Sequence, residues 1–178
     1  MLVEPTSLPE VFSITPTRYQ DARGFFFESY NQKLFPLSEY SFVQDNHSCS
    51  VTGTLRGLHY QLVKPQGKLV RVVAGAILDV AVDIRKSSSN FGKWVSMELS
   101  ADNGKQLWVP PGFAHAFITL SDKAEVLYKT TDYWYKEHDR AIRWDDSDLA
   151  IDWQFDGQVL LSDKDNNAPL FKTAETFN

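Results

Sequence analysis

The sequence predicts an all-β protein, an antiparallel sandwich or barrel with a small helical appendix. Three observations carry the prediction. Short β-prone runs recur along most of the chain with turn signals between them. No segment before Ile142 shows helical periodicity. Two apolar runs, Lys68-Leu69-Val70-Arg71-Val72-Val73 and Ala76-Ile77-Leu78-Asp79-Val80-Ala81-Val82-Asp83-Ile84, also meet at a tight Ala74-Gly75 corner.

In chain order, Val11-Phe12-Ser13-Ile14-Thr15 alternates as a short strand that Pro16 stops. Asp21-Ala22-Arg23-Gly24 is a turn, and Phe25 to Tyr30 is β-prone. Asn31 to Leu37 suits a brief helical turn. Ser41 to Val51 reads as a strand with polar groups on both faces, which suits a pocket wall better than a core. Trp94 to Leu99, Gln106 to Val109, Ala116 to Leu120 and Ala124 to Lys129 supply four more strands. Asp102-Asn103-Gly104 and Ser121-Asp122-Lys123 read as hairpin-like turns, and Ser87-Ser88-Ser89-Asn90 as a loop. Asp145-Asp146-Ser147-Asp148-Leu149 suits the cap of a short helix leading into an irregular tail. No repeat, low-complexity tract or linker interrupts the sequence, so residues 1–178 are read as one domain.

Composition narrows the function. A net charge of -5 argues against an electrostatic grip on long nucleic acid, while leaving room for a local basic pocket around one small anion. A single cysteine, Cys49, excludes an internal disulfide framework and fits a reducing cytoplasm. On its apolar-flanked strand it reads as a small core side chain rather than a nucleophile. No apolar run approaches membrane-spanning length, and Met1-Leu2-Val3-Glu4-Pro5 lacks the basic and apolar regions of a signal peptide. No membrane partner and a cytoplasmic location are expected.

The chemistry gathers around Thr54-Leu55-Arg56-Gly57-Leu58-His59-Tyr60-Gln61 and Gln66-Gly67-Lys68. Arginine is a fixed cation suited to phosphate, histidine carries a proton near neutral pH, and lysine steadies an oxyanion. Burying such cations is costly without an anionic partner. Pro110-Pro111-Gly112-Phe113-Ala114-His115 has the Pro-x-Gly-x-x-His pattern of a cupin barrel's second motif. His59-Tyr60-Gln61 stands where metal-binding cupins place His-x-His, so one ligand is missing and no metal is expected. Tyr128 suits a core tyrosine or a proton donor, and Asp165 a solvated turn or a carboxylate that orients an imidazole. Spacing leaves both pairs open.

Taken together, Asp21-x-Arg23-Gly24-x-Phe26-x-Glu28, Gln44-Asp45-Asn46-His47-Ser48, Leu55 to Gln61, Gln66 to Val70, Val109 to His115, Tyr128-Lys129, Ile142 to Asp146 and Leu161 to Asp165 resemble the dTDP-4-dehydrorhamnose 3,5-epimerase family. The resemblance runs from about Val3 to Phe171. It implies a cupin-type jelly roll, a homodimer, no cofactor, and a dTDP-4-keto-6-deoxy sugar as substrate. It further implies that His59 is the base oriented by Asp165, that Lys68 stabilises the enolate oxygen, and that Tyr128 returns a proton from the opposite face. Arg56 and His115 would hold the diphosphate and the neighbouring sugar. Arg23, Glu28, Gln44 and Asn46 match positions at the thymidine end, with Arg23 and Glu28 reaching in from the partner subunit, and Phe26 and Asp45 are implied as further substrate-binding residues. Trp134 falls at the position of an aromatic that stacks on thymine, and Asp139 and Lys164 match further substrate contacts. Ala116 stands where the family usually has glycine, and Asp139 near a position that is often glutamate. A relative acting at one carbon only, a sugar-nucleotide-binding cupin without activity, and a metal-dependent cupin are the alternatives.

Overall fold

A computed structural model describes every residue except Pro36 and Ser38. Two antiparallel sheets face one another. Numbered in chain order, the six-stranded sheet runs β1 (Leu2–Pro5), β2 (Phe12–Thr15), β10 (Gln106–Val109), β7 (Lys68–Ala74), β12 (Lys123–Thr130), β5 (Gln44–Val51). The five-stranded sheet runs β13 (Asp139–Ala141), β6 (Leu55–Gln61), β11 (Phe113–Thr119), β8 (Ala76–Asp83), β9 (Trp94–Ser100). A separate hairpin pairs β3 (Tyr19–Asp21) with β4 (Gly24–Phe26). Among the described residues no helix is long and apolar enough to cross a membrane.

From β5 to β12, successive strands change sheet at every step except β8 to β9. This corrects two expectations. Asp102-Asn103-Gly104 and Ser121-Asp122-Lys123 are not hairpin turns, because each carries the chain from one sheet to the other. A turn signal reports only that the chain reverses; which strand it then pairs with is decided by packing. The Ala74-Gly75 corner is another crossing. Gly75 sits at φ +72, and a Cβ there would lie 2.0 Å from the Lys123 carbonyl oxygen, so the corners of two crossings touch.

Apolar residues are buried on both faces of the five-stranded sheet. Between the sheets Val70, Val72, Ile77, Ala81, Phe113, Phe117 and Val126 form one cluster. Behind the sheet, Leu58, Tyr60, Leu78, Val80, Val82 and Ile118 pack under Ile142, Leu149 and Trp153 of the tail. Burial on both faces explains why β8 is apolar almost throughout instead of alternating. Tail docking also depends on Asp146, which is buried and accepts backbone N–H bonds from Asp148, Leu149 and Phe171.

Other expectations need adjusting. The strand expected over Phe25 to Tyr30 ends at Phe26. In the expected helical turn the N–H groups of Leu34 and Phe35 both donate to the Asn31 carbonyl, without a helix; its Pro36 lies outside the described residues. Residues 145–149 form turns: Asp146 Oδ1 takes the Asp148 and Leu149 N–H groups as an N-cap would, but the chain leaves the helical conformation at Ala150, which has φ 45, after one turn. Among the described residues the one α-helix is α1 (Asp163–Asn166), with Ser162 as its N-cap. Cys49 is exposed: β5 is an edge strand whose odd-numbered side chains Asp45, His47, Cys49 and Val51 face outward.

Candidate active site

Strand β6 carries the chemistry, and a bulge aims it. Side chains alternate along a strand, so Arg56 and His59, three positions apart, would face opposite sides of a regular one. Pairing with β11 matches His115 to His59 but Phe117 to Arg56, so two β6 residues, Gly57 and Leu58, oppose Ala116 alone. The extra residue restores the parity. Leu55, Leu58 and Tyr60 turn to the tail-covered core, and Arg56, His59 and Gln61 line one cleft.

Glycine makes the bulge possible. Gly57 has φ +131, and a Cβ there would lie 2.3 Å from the Ala116 Cβ and 2.6 Å from the His115 carbonyl oxygen. The alanine at 116 therefore fits because its neighbour has no side chain. Gly57→Ala is expected to cost roughly 3 kcal/mol from backbone strain and overpacking together. Chemical denaturation measures this, and a loss below 1 kcal/mol would show that the bulge relaxes freely.

The cleft has a volume of about 220 Å³. Into it project Arg56 and His59 from β6, Lys68 from β7, His115 from β11 and Tyr128 from β12, with Trp134, Asp139 and Lys164 at its walls. His59 and His115 are cross-strand partners, and each imidazole is bonded through Nε2 to a carboxylate. His59 meets Asp165 Oδ1 at 2.5 Å, and His115 meets Asp79 Oδ1 at 2.7 Å. Their surroundings differ. The His59 side chain is 33% exposed and so reaches the cleft, whereas that of His115 is 8% exposed over a fully buried Asp79.

Asp165 comes from the short helix α1. Ser162 donates its hydroxyl to Asp165 Oδ2 and accepts the Asp165 N–H, leaving Oδ1 to His59. Burial raises the Asp165 pKa, but the bond and charge of His59, helped by Ser162 and Lys164, hold it below the ordinary carboxylate range. An ionised carboxylate only accepts, so His59 Nε2 carries a proton, and in the neutral ring it is Nδ1 that keeps the lone pair.

Lys68 is buried, and its Nζ donates to the His59 carbonyl at 3.2 Å. Burial pulls its pKa down to about 8; Asp139 and Asp79 resist the fall and Lys164 adds to it. Tyr128 moves the other way: burial raises the phenol pKa, which Arg56 lowers and Asp139 raises further, so it holds its proton at neutral pH. Burial likewise lowers the His115 pKa against the opposing charge and hydrogen bond of Asp79, and Lys68 and His59 lower it further.

Arg56 is exposed and anchored through Nε to the Ser50 hydroxyl at 3.1 Å. Gln44 bonds Asn46 at 3.0 Å, and the two border an adjoining hollow with Gln66, Tyr128 and Trp134. The Trp134 indole is 53% exposed, while its backbone N–H is held by Gln44. Lys164 and Asp139 form an ion pair of 2.6 Å across the cleft wall.

Four expected site residues do not join this group within the chain. Asp45 lies on the outer face of β5, paired with Lys129 at 2.8 Å, because β5 alternates and its even-numbered residues face the cleft. Arg23 and Phe26 belong to the β3–β4 hairpin, with Arg23 held by Asp21 at 2.6 Å; Glu28 follows it, bonded to Asn31. All three are exposed. Conversely, sequence reasoning missed Asp79 as well as Ser48 and Phe117, which line the cleft. Asp79 did leave a signal, as an acid in the middle of an otherwise apolar run.

An acid–base cleft between the sheets of a cupin-type jelly roll defines the class: the protein is an isomerase of carbohydrates, an epimerase. The family profile described as dTDP-4-dehydrorhamnose 3,5-epimerase matches residues 5–173. The chain belongs to the dTDP-4-dehydrorhamnose 3,5-epimerase family. It is 52% identical over 174 residues to the dTDP-4-dehydrorhamnose 3,5-epimerase of Pseudomonas aeruginosa, covering 96% of each chain. A dTDP-6-deoxy-D-glucose-3,5-epimerase from Legionella pneumophila, solved in complex with dTDP-4-keto-L-rhamnose, superposes with a TM-score of 0.94 at 47% identity, covering 98% of this chain and 94% of that one. A 3'-monoepimerase from Streptomyces bikiniensis, in complex with dTDP-quinovose, superposes with a TM-score of 0.89 at 33% identity, covering 95% and 87%.

Proposed function

We propose that this chain converts dTDP-4-dehydro-6-deoxy-α-D-glucose to dTDP-4-dehydro-β-L-rhamnose by inverting C3 and C5 of the sugar, in dTDP-L-rhamnose synthesis. The observation that carries the reading is the His59–Asp165 dyad in one cleft with a buried lysine and a protonated tyrosine. C3 and C5 both flank the C4 carbonyl, so loss of either proton leaves an enolate. His59 Nδ1 takes the proton while Asp165 steadies the imidazolium; the Lys68 ammonium meets the charge developing on O4. Tyr128, on the strand paired with β7 in the opposite sheet, returns a proton from the other face of the ring. A base and an acid on opposite faces are what inversion requires.

The nucleotide follows the rest of the cleft. Arg56 binds the diphosphate and His115 the neighbouring sugar, with Lys164 and Asp139 as further contacts. Gln44 and Asn46 hold the thymidine end, and Trp134 stacks on the base. Its exposed indole supports this role, and Trp134→Ala is expected to weaken dTDP binding about tenfold by calorimetry, in line with one lost stacking partner. An unchanged affinity removes Trp134 from the site.

Arg23, Phe26 and Glu28 stand apart from their own cleft, which supports a homodimer in which each hairpin completes the partner's thymidine site. Light scattering at micromolar concentration tests this, and a monomeric mass rejects it. Asp45 is placed by the same reading at that shared edge. Residues 1–178 act as one epimerase domain in the cytoplasm, where the exposed Cys49 stays reduced.

The deciding experiment is proton exchange. The protein is incubated with the keto-sugar in heavy water without a reductase, and deuterium is located by NMR. Label at both C3 and C5 is expected. Label at one carbon alone indicates a single-site epimerase, and no label at either overturns the catalytic reading.

A further inference from the structure

Asp79 is the least expected charge in the molecule. On the inner side of β8 it stands between Ile77 and Ala81, opposite Phe117 of β11 and Met97 of β9, and it is wholly shut off from solvent. Its Oδ1 meets His115 Nε2, and its Oδ2 is buried with no hydrogen-bond partner among the described residues. A buried carboxylate with one hydrogen bond costs several kcal/mol even after relaxation, so its presence calls for a role beyond packing.

Two groups of the cleft feel this carboxylate. With Oδ1 as the acceptor, the proton of the bond sits on His115 Nε2, which leaves Nδ1 of the neutral ring as an acceptor. Nδ1 has no partner among the described residues, and His115 lines the cleft. Lys68 is the second. The charged and titratable groups around it are Asp79 of β8, Asp139 of β13 and Lys164 of α1, with Arg56, His59, His115 and Tyr128 lining the same cleft. Asp79 and Asp139 favour the ammonium form and Lys164 opposes it.

We propose that Asp79 is a positioning residue for the reaction: it fixes His115 as an Nε2-protonated, neutral ring that accepts a hydroxyl of the substrate sugar. This rests on the acid–base reading of the cleft given above. It divides the two imidazole–carboxylate pairs by task. The exposed pair at His59 moves a proton, and the sealed pair at His115 holds one still.

Asp79→Asn tests the proposal, because the amide keeps the shape and removes the charge. The variant is expected to lose about 10²-fold in kcat, the size of one preorganised electrostatic contribution, with dTDP affinity within twofold. Its Tm should be unchanged or higher, since an uncompensated buried charge has gone. The alkaline limb of the pH–rate profile should move to lower pH, because Lys68 has lost a group that raised its pKa. Near-normal kcat overturns the proposal. So does a loss of activity that only tracks a fall in Tm. Nitrogen NMR of histidine-labelled wild type gives an independent readout, with the His115 signal assigned by its loss in His115→Asn. An Nε2-protonated neutral ring is expected near pH 7; an Nδ1-protonated ring or an imidazolium overturns the proposal whether or not the variant folds. Wild type that exchanges no proton into the keto-sugar would instead sink the functional reading, and the NMR result would still decide the Asp79–His115 pairing.

Discussion

His59→Asn is expected to lower turnover of the keto-sugar by about 10³-fold or more and to leave dTDP affinity within about twofold, because in the proposed mechanism one side chain is both the base and half of the dyad. The substitution is conservative for the fold. His59 is partly exposed, and its main job in the chain is to bond Asp165, which keeps the Ser162 hydroxyl as a partner. Binding is expected to survive because the proposed nucleotide contacts, Arg56, Gln44, Asn46 and Trp134, lie elsewhere in the cleft and its adjoining hollow. Turnover measured with a coupled reductase and affinity measured by calorimetry separate the two effects. A variant that still exchanges C3 and C5 protons at more than a tenth of the wild-type rate would transfer the base role to another group.

Lys68→Met lowers kcat by about 10²- to 10³-fold, the usual loss when a preorganised donor to a developing oxyanion is removed. It also changes the shape of the pH profile. In the proposed mechanism the lysine acts while protonated, and burial brings its pKa down to about 8, so wild-type activity is expected to fall as pH rises through that value. With methionine in its place the group that titrates is gone, and the residual activity should cross pH 8 without that decline. A retained alkaline limb in the variant would assign the titration to another residue and leave Lys68 with a steric role.

Much of this was legible from residue types. β2, β7, β8, β9, β10 and β12 lie within about two residues of the expected runs, because half-buried or fully buried strands leave a local hydrophobic pattern. Sheet membership was not legible. The turns at 102–104 and 121–123 carry ordinary turn residues, and only packing sends each following strand across to the other sheet. β1 was missed because Leu2-Val3-Glu4-Pro5 is short and mostly exposed. Cys49 was misread because its neighbours in sequence were taken as its neighbours in space, whereas an edge strand gives every second residue to solvent.

The site follows the same division. Arg56, His59 and Lys68 announced themselves as cations in apolar runs, and the structure gathers them with His115 and Tyr128. Alternation counted without the bulge would have set Arg56 and His59 on opposite faces; the glycine between them was the available signal. Arg23, Phe26 and Glu28 were expected from the resemblance alone, and within one chain they lie away from the cleft.

The His59–Asp165 bond joins residues 106 positions apart. β6 and α1 are held together by the pairing of Thr54 with Leu160, and by the tail packed over Leu58 and Tyr60. The imidazole is thus supplied early in the chain and its orienting carboxylate late. During synthesis on a ribosome, both sheets have all their strands available by residue 141, yet His59 has no partner to direct its lone pair until residue 165 has emerged and docked. In the proposed mechanism, catalytic competence therefore waits on docking of the tail, which also closes the core behind the five-stranded sheet.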